Sequence, residues 1–286
     1  MKTGITGDYL HAYGFEEGLK RMKAHGYDGI DYQGLGSMKN SPLYKMSDEE
    51  FKAYLTDLNA CAKRNGLVIH QLHGAWPHVD DWTDEGRAQT VEYFKKCILG
   101  AKYLDCPKVI VHPLMPNLYF GDTSYDTEKD FEINARMLKE LAPVAREHGV
   151  TVCLENMPFP KWSAFSYVKN IKKLLTEIGD EHIKACLDTG HFNAEKGDIY
   201  NAITLLGDDL AALHIHDDRN GQDRHLLPFQ GDIDWDGFTR GLKAIGYKCV
   251  ISLETNIRPK TPQPMRGRME IELANIARYL ADEIEK

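Results

Sequence analysis

The sequence lacks the features that mark a disulfide scaffold or a membrane protein. Its six cysteines, in 286 residues, include no C-x-x-C pair. A free thiol inside an apolar run, such as Cys153, behaves as a small hydrophobe. No stretch approaches the roughly 18 apolar residues of a membrane-spanning helix, and Met1–Leu10 has no apolar signal core. These absences predict a reduced, cytoplasmic protein that does not associate with membranes.

The sequence also lacks the clusters of Lys and Arg that would indicate a nucleic-acid-binding surface. The chain has 35 Lys and Arg against 43 Asp and Glu, which gives a formal net charge of -8, and no basic tract stands out. Proteins that bind nucleic acid usually cluster Lys and Arg to neutralise phosphates. A nucleic acid is therefore an unlikely partner, and a small molecule is the expected one.

The pattern of strands and helices predicts one closed barrel. No Gly-x-Gly-x-x-Gly follows the first predicted strand, which argues against a doubly wound dinucleotide fold. Short β-rich runs alternate with segments of helical periodicity, and Ser47–Glu50 has the sequence of a helix capping box. Eight strand–helix units predict an α/β fold, a single-domain (β/α)₈ TIM barrel over residues 1–286. The predicted strands are Thr3–Gly7, Gly29–Gln33, Leu67–His73, Lys108–His112, Thr151–Glu155, Ile183–Asp188, Leu210–His216 and Cys249–Glu254.

Imidazole and carboxylate side chains collect at the ends of the last six predicted strands. In a (β/α)₈ barrel the carboxyl ends of the strands meet at one mouth, where active sites lie. Carboxylates buried there need a partner, and few Lys or Arg lie near Glu155, Asp188 and Glu254 in the sequence. Oxygen and imidazole ligands without thiolates suit one divalent ion, Mn²⁺, Mg²⁺, Co²⁺ or Zn²⁺.

The period of two along a strand sets expectations for the individual histidines. His214 and His216 share one face of their strand, so either could be the imidazole ligand. The same period predicts that His70 points with Leu72 and away from His73.

The strand-end motifs together resemble those of a known superfamily. The chain is similar to the xylose isomerase-like barrels, in the sugar phosphate isomerase/epimerase group that also contains endonuclease IV. The resemblance covers nearly the whole chain and implies a TIM barrel that acts on a sugar or sugar derivative. The motifs that carry it are Val111-His112-Pro113, Leu154-Glu155-Asn156, Leu187-Asp188-Thr189-Gly190-His191, His214-Ile215-His216-Asp217-Asp218, Asp223-Arg224-His225, Gly231-Asp232-Ile233-Asp234-Trp235 and Ser252-Leu253-Glu254.

The resemblance implies roles for individual residues. By similarity to ketose 3-epimerases, one metal ion is held by Glu155, Asp188, His214 and Glu254. The two glutamates would also be the catalytic acid/base pair, transferring a proton through a metal-stabilised enediolate. His191 matches a substrate-binding histidine of that group. The further candidate substrate contacts are His73, His112, His216, Arg219, Lys161 and Trp162.

Two positions depart from the epimerase pattern. A substrate-contacting glutamate of that group is replaced by Lys161. The position of a substrate arginine falls on Asn220, with Arg219 one residue away. These departures predict a phosphorylated, acidic or otherwise different sugar rather than the free ketose of the epimerases.

Other activities remain open at this point. The resemblance to endonuclease IV implies a larger, trinuclear zinc set as an alternative, with Asp223 and His225 as ligands of additional ions, and this would suit a phosphodiesterase acting at abasic DNA. The residues that match that set are His73, His112, Glu155, Asp188, His191, His214, Asp223, His225 and Glu254. A metal-dependent sugar lyase or dehydratase, or a barrel that only binds a ligand, is compatible with the same motifs. Related barrels often form dimers or tetramers, so the resemblance also implies a homo-oligomer.

Overall fold

Eight parallel strands form the barrel that the sequence predicts. The computed structural model describes residues 1–37, 41–76, 78–116 and 126–286. The sheet order is β7-β6-β5-β4-β3-β2-β1-β8, and a parallel bridge between Ile215 and Leu253 joins β7 to β8. The (β/α)₈ fold is thus confirmed. The strands are β1 Thr3–Ile5, β2 Gly29–Tyr32, β3 Val68–His73, β4 Lys108–Val111, β5 Thr151–Glu155, β6 Ile183–Asp188, β7 Leu210–His214 and β8 Ile251–Leu253.

Helices α3 and α5 begin or end at capping residues that are recognisable in the sequence. Ser47 and Glu50 make the reciprocal hydrogen bonds of a capping box at the start of α3, and Gly149 ends α5 in the left-handed conformation. The α5 helix continues through Pro143. The helices are α1 Asp8–Tyr13, α2 Phe15–Ala24, α3 Asp48–Arg64, α4 Asp84–Tyr103, α5 Thr127–His148, α6 Val168–Ile178, α7 Thr189–Glu195, α8 Ile199–Leu206, α9 Trp235–Ala244 and α10 Gln263–Glu285. Within the described part of the chain, none of these helices combines the length and the apolar composition needed to cross a membrane.

The interior of the barrel contains a layer of apolar side chains. Ile110, Cys153, Cys186 and Ala212 form a buried cluster of their own. Each of them precedes a polar residue at a strand end by two positions, and alternate residues of a strand face the same side. These apolar side chains therefore lie one layer below the polar groups in the barrel interior and pack directly against them.

A β-bulge reverses the predicted direction of His70. The register between β2 and β3 shifts between Ile30 and Asp31, so that β3 contains one extra residue. As a result the His70 ring points into the barrel, where Nε2 lies 3.0 Å from Ser252 Oγ. The prediction that His70 points with Leu72 is wrong, because a bulge interrupts the alternation of side chains on which it relied.

The His70 ring occupies the space that a side chain at Gly4 would need. A Cβ atom at Gly4 would lie 2.2 Å from His70 Cε1. We expect Gly4→Ala to lower the free energy of unfolding by about 1–3 kcal/mol, because the core must shift to admit the methyl group. Urea denaturation measures the change.

The matched control is Gly267→Ala in α10, where an added Cβ would have no described atom within 4 Å apart from the backbone of its own helix. This change should leave stability unchanged or raise it by roughly 0.5–1 kcal/mol, since alanine favours a helix over glycine. Gly4→Ala should also cost less in a His70→Ala background. An equal cost in both backgrounds would show that His70 is not the obstacle.

Candidate functional site

Four strands place carboxylate or imidazole groups at the carboxyl end of the barrel. Glu155, Asp188 and His214 are the last residues of β5, β6 and β7, and Glu254 follows β8 directly. All four are buried. Because the carboxyl ends of the parallel strands converge at this mouth, the four side chains point into one small volume from four different strands.

His214 joins the two glutamates. Its Nδ1 atom lies 2.7 Å from Glu155 Oε1 and 3.1 Å from Glu254 Oε2. Gln33 donates a hydrogen bond of 3.1 Å from Nε2 to the other oxygen of Glu254. The carboxylates of Glu155, from β5, and Glu254, after β8, thus both contact Nδ1 of His214.

Asp188 lies in the adjoining part of the cluster, with His191 and His216. Its carboxylate accepts the backbone N–H of His191 at 2.7 Å, which caps helix α7, and lies 3.1 Å from His216 Nε2. A Cβ at Gly190 would lie 1.9 Å from the His216 ring, so glycine at this position lets the ring approach the helix. His191 Nδ1 is 3.7 Å from both Asp188 Oδ1 and Glu155 Oε1, which connects the two halves of the cluster.

The loop after β7 adds Asp223 and His225 to the mouth. Asp223 Oδ1 lies 3.2 Å from His225 Nε2 and 3.5 Å from His191 Nε2. His225 Nδ1 donates to the Glu254 carbonyl at 2.7 Å, and its ring stacks on His216 with centroids 4.1 Å apart. Both loop residues have positive φ angles, of 46° and 50°, so tertiary contacts hold a backbone conformation that is uncommon for non-glycine residues.

His73 and His112 complete the other wall. His112 Nε2 is 3.1 Å from Glu155 Oε2, and His73 Nε2 is 3.9 Å from the same oxygen. The His73 ring is parallel to that of His214, with centroids 5.4 Å apart, and Trp76 packs against His112 at 4.7 Å. Glu155 is consequently surrounded by imidazoles from three other strands.

These groups surround a cavity of about 180 Å³. One side is polar, and the other is formed by Trp76 and the segment after β5. A cavity with convergent polar groups on one side and apolar groups on the other is typical of a small-molecule site. The lining residues are His73, Trp76, His112, Glu155, Met157, Pro158, Phe159, His191, Asp223, His225 and Glu254.

Four of the candidate substrate contacts lie elsewhere. His216 is fully buried beneath the cavity wall. Arg219 is exposed and donates to the Gln230 carbonyl, in a separate shallow pocket with Arg224. Lys161 is exposed, and Trp162 packs on Phe159 with ring centroids 5.8 Å apart. None of the four is among the described residues that line the cavity.

Sequence reasoning missed several groups that the fold brings to the site. Asp31 from β2 contacts His214 at 2.9 Å, and Gln71 from β3 contacts Asp31. Met157 and Phe159 line the cavity. Asp31 and Gln71 could have been found as polar residues within buried strands. Met157 and Phe159 could have been found because they follow Glu155 closely in the chain.

Burial and charge act in opposite directions on the ionisable groups. Burial disfavours the Glu155 carboxylate, but His214 and His112 outweigh it and hold the pKa well below its usual value. Burial also opposes the charged form of His191, yet Asp188 and Asp223 raise its pKa to about 10. Burial lowers the pKa of His112 to about 4, and burial is the main cause of the raised pKa of Glu254. Protonated imidazoles of His191 and His214, whose pKa values are raised, thus offset part of the buried negative charge.

The donor set fits a divalent metal ion. Several triads of imidazole and carboxylate groups have ligand atoms within 4.8 Å of one another, among them His73–Glu254–His214 and Asp188–His191–His216. Buried Glu155 Oε2 and Asp223 Oδ1 lie close to the imidazole nitrogens of His112 and His225 but make no well-aligned hydrogen bond with any described residue. Among the described residues, no Lys or Arg forms an ion pair with the carboxylates of Glu155, Asp188 or Glu254. A cation would satisfy these oxygens, and borderline N and O ligands suit transition metals and zinc.

Solved structures share this fold along the whole chain. The structure of D-psicose 3-epimerase from Clostridium cellulolyticum H10 with D-tagatose superposes with a TM-score of 0.81 at 21% identity, covering 98% of this chain and 99% of that one. An IolI protein with a bound zinc atom has a TM-score of 0.74 at 20% identity, over 99% of this chain and 98% of that one.

Sequence comparison identifies the family. A D-psicose 3-epimerase of Enterocloster bolteae is 26% identical over 89% of this chain and 82% of its own length. Protein y4fM of Sinorhizobium fredii is 30% identical over 61% of this chain, and the match spans 54% of that protein. The family model described as xylose isomerase-like TIM barrel matches residues 19–276. The chain therefore belongs to the xylose isomerase-like TIM barrel family.

Proposed function

We propose that this protein is a metal-dependent isomerase or epimerase of a sugar or sugar derivative. The observation that carries the proposal is the meeting of Glu155 and Glu254 at the same nitrogen of His214, at distances of 2.7 and 3.1 Å. Both glutamates also line the cavity. Two carboxylates that reach a bound molecule from different strands can remove a proton from carbon and return it. The epimerase names of two relatives support the same reaction class.

The proposed metal ligands are Glu155, Asp188, His214 and Glu254. Contacts among Glu155, His214 and Glu254 support three of them. The fourth, Asp188, shares the cluster through His191, and His216 is the alternative imidazole because it contacts Asp188 directly. The zinc atom bound in the IolI structure supports a divalent ion in this protein as well, and Zn²⁺, Mn²⁺, Co²⁺ and Mg²⁺ are the candidates.

The bound ion would polarise a carbonyl and so acidify the neighbouring C–H bond. Glu155 and Glu254 are then placed to exchange the proton at that carbon. His191 offers Nε2 to the cavity, since its Nδ1 is occupied by the Asn156 carbonyl at 2.8 Å. The imidazoles of His73, His112 and His225 can hydrogen-bond sugar hydroxyls, while Trp76 and Phe159 provide an apolar wall for the C–H face of the ring.

A phosphodiesterase that uses several metal ions is the second candidate. The observation that favours it is the presence of two further triads, His73–His112–Glu155 and His216–Asp223–His225, whose ligand atoms lie within 4.8 Å of one another. In that arrangement Asp223 and His225 would be ligands of an additional ion rather than substrate contacts. The number of ions bound per chain separates the two functions.

The metal content of the protein is the first test. After loading with Zn²⁺ or Mn²⁺ and desalting, mass spectrometry should find one ion per chain. Glu155→Gln should lower the affinity at least tenfold, because one anionic ligand is lost. The control is Glu140→Gln, an exposed carboxylate of α5, which should bind as the unaltered protein does. Three ions per chain would favour the phosphodiesterase, and unchanged affinity in Glu155→Gln would contradict the ligand assignment.

Exchange of carbon-bound hydrogen with solvent tests the reaction itself. In D₂O, with a panel of ketoses, aldoses, their phosphates and sugar acids that begins with D-psicose and D-tagatose, deuterium should enter the substrate at the carbon beside the carbonyl. Glu254→Gln should slow the exchange by a factor of about 10²–10⁴, the usual contribution of a positioned acid or base. NMR of the recovered sugar measures both effects. If the metal-loaded protein exchanged no hydrogen in any sugar of the panel, the proton-transfer mechanism would be rejected.

A further inference from the structure

Asp31 contacts the side of His214 that faces away from the glutamates. It belongs to β2, is fully buried, and its Oδ2 atom lies 2.9 Å from His214 Nε2. The opposite ring nitrogen, Nδ1, is the atom that Glu155 and Glu254 contact. The His214 ring is thus fixed at both nitrogens by carboxylates from three strands.

The direction of the Asp31–His214 hydrogen bond follows from its neighbours. Gln71 Nε2 donates to the Leu213 carbonyl at 3.2 Å, and a carbonyl can only accept, so this contact fixes the orientation of the Gln71 amide. The same Nε2 group donates to Asp31 Oδ2 at 3.0 Å. An ionised carboxylate has no hydrogen to donate and can only accept, as Oδ2 does from Gln71, so His214 Nε2 carries the hydrogen and donates it to Asp31.

We infer that Asp31, oriented by Gln71, is a positioning residue that holds His214 with Nε2 protonated and Nδ1 directed at Glu155 and Glu254, so that Nδ1 is the metal-binding atom. The inference rests on the proposed metal site. A carboxylate behind a ligating imidazole fixes the ring and its tautomer and makes the nitrogen that faces the metal more basic.

Space filling does not account for Asp31. Its second oxygen, Oδ1, is buried and has no hydrogen-bond partner in the part of the chain that the structure describes. A buried charge with an unsatisfied oxygen is costly. An apolar residue of similar size would pack at this position without that cost. The carboxylate at this position therefore serves the imidazole that it contacts.

The experiment compares Asp31→Leu with the conservative Asp31→Asn. In the protein labelled with ¹⁵N-histidine, His214 should give a downfield, slowly exchanging Nε2–H signal, assigned by its loss in His214→Gln. The signal should disappear in Asp31→Leu. Competition with a chromogenic chelator should show Zn²⁺ affinity lowered about 10–100-fold in Asp31→Leu. Asp31→Asn should bind with intermediate affinity, because its amide oxygen can still accept the hydrogen bond.

The matched control is Asp130→Asn, a buried carboxylate that accepts a backbone N–H from Ala164 and lies outside the cluster. It should leave Zn²⁺ affinity and the His214 signal unchanged. Thermal melting of the metal-free variants separates misfolding from a local effect, and Asp31→Asn supplies both readouts if Asp31→Leu does not fold. The inference is overturned if His214 lacks the Nε2–H signal in the unaltered protein, or if folded Asp31→Leu binds Zn²⁺ within twofold of it. An unaltered protein that shows this signal but binds no metal would refute the proposed metal site and leave the hydrogen-bond assignment standing.

Discussion

The site is organised around buried negative charge that must be balanced by positive charge. Glu155, Asp188 and Glu254 are withdrawn from water at the mouth of one barrel. In the protein without metal, protonated imidazoles supply the balance, with His214 between the glutamates and His191 beside Asp188. A divalent ion would bind such a cluster by displacing those protons, so metal affinity and proton release would be coupled. The same arrangement therefore accounts for the raised pKa values of His191, His214 and His216 and for the fit to a cation.

Both halves of the barrel contribute to this balance. The carboxylate and imidazole groups that we propose as ligands come from β5 to β8, whereas their support comes from β2 and β3 through Asp31 and Gln71. The layer of apolar residues that includes Cys153 and Cys186 packs in the barrel interior directly below the proposed ligands. Groups on rigid strands with supporting hydrogen bonds keep their positions more accurately than groups on loops.

The loop after β7 is the exception, because it brings functional groups to the mouth in an irregular conformation. Left-handed backbone at Asp223 and His225 costs of the order of 1 kcal/mol or more per residue. Asp217 offsets this cost, since it accepts hydrogen bonds from the Trp235 indole at 2.9 Å and from the backbone of Asp218. Backbone pairing between Asp217 and Leu226 ties the two ends of the turn together.

The sequence by itself determined the number and order of the strands, and with them the residues that end at the barrel mouth. The alternation of eight strands with helices and the period of two within each strand were sufficient for this, because the carboxyl ends of parallel strands in a barrel converge at one mouth. Loop positions such as Arg219, Lys161 and Trp162 were not accessible to that reasoning, since no periodicity governs where a loop side chain points.

Only the tertiary structure decided which partners meet. It assigned His214 to the glutamates and His216 to Asp188, a choice that the alternation left open because both histidines share one face. It turned His70 inward through a bulge, and it brought Asp31 and Gln71 to the back of His214. Local sequence cannot fix these contacts, because each one joins strands that are distant in the chain and depends on how the staggered barrel closes.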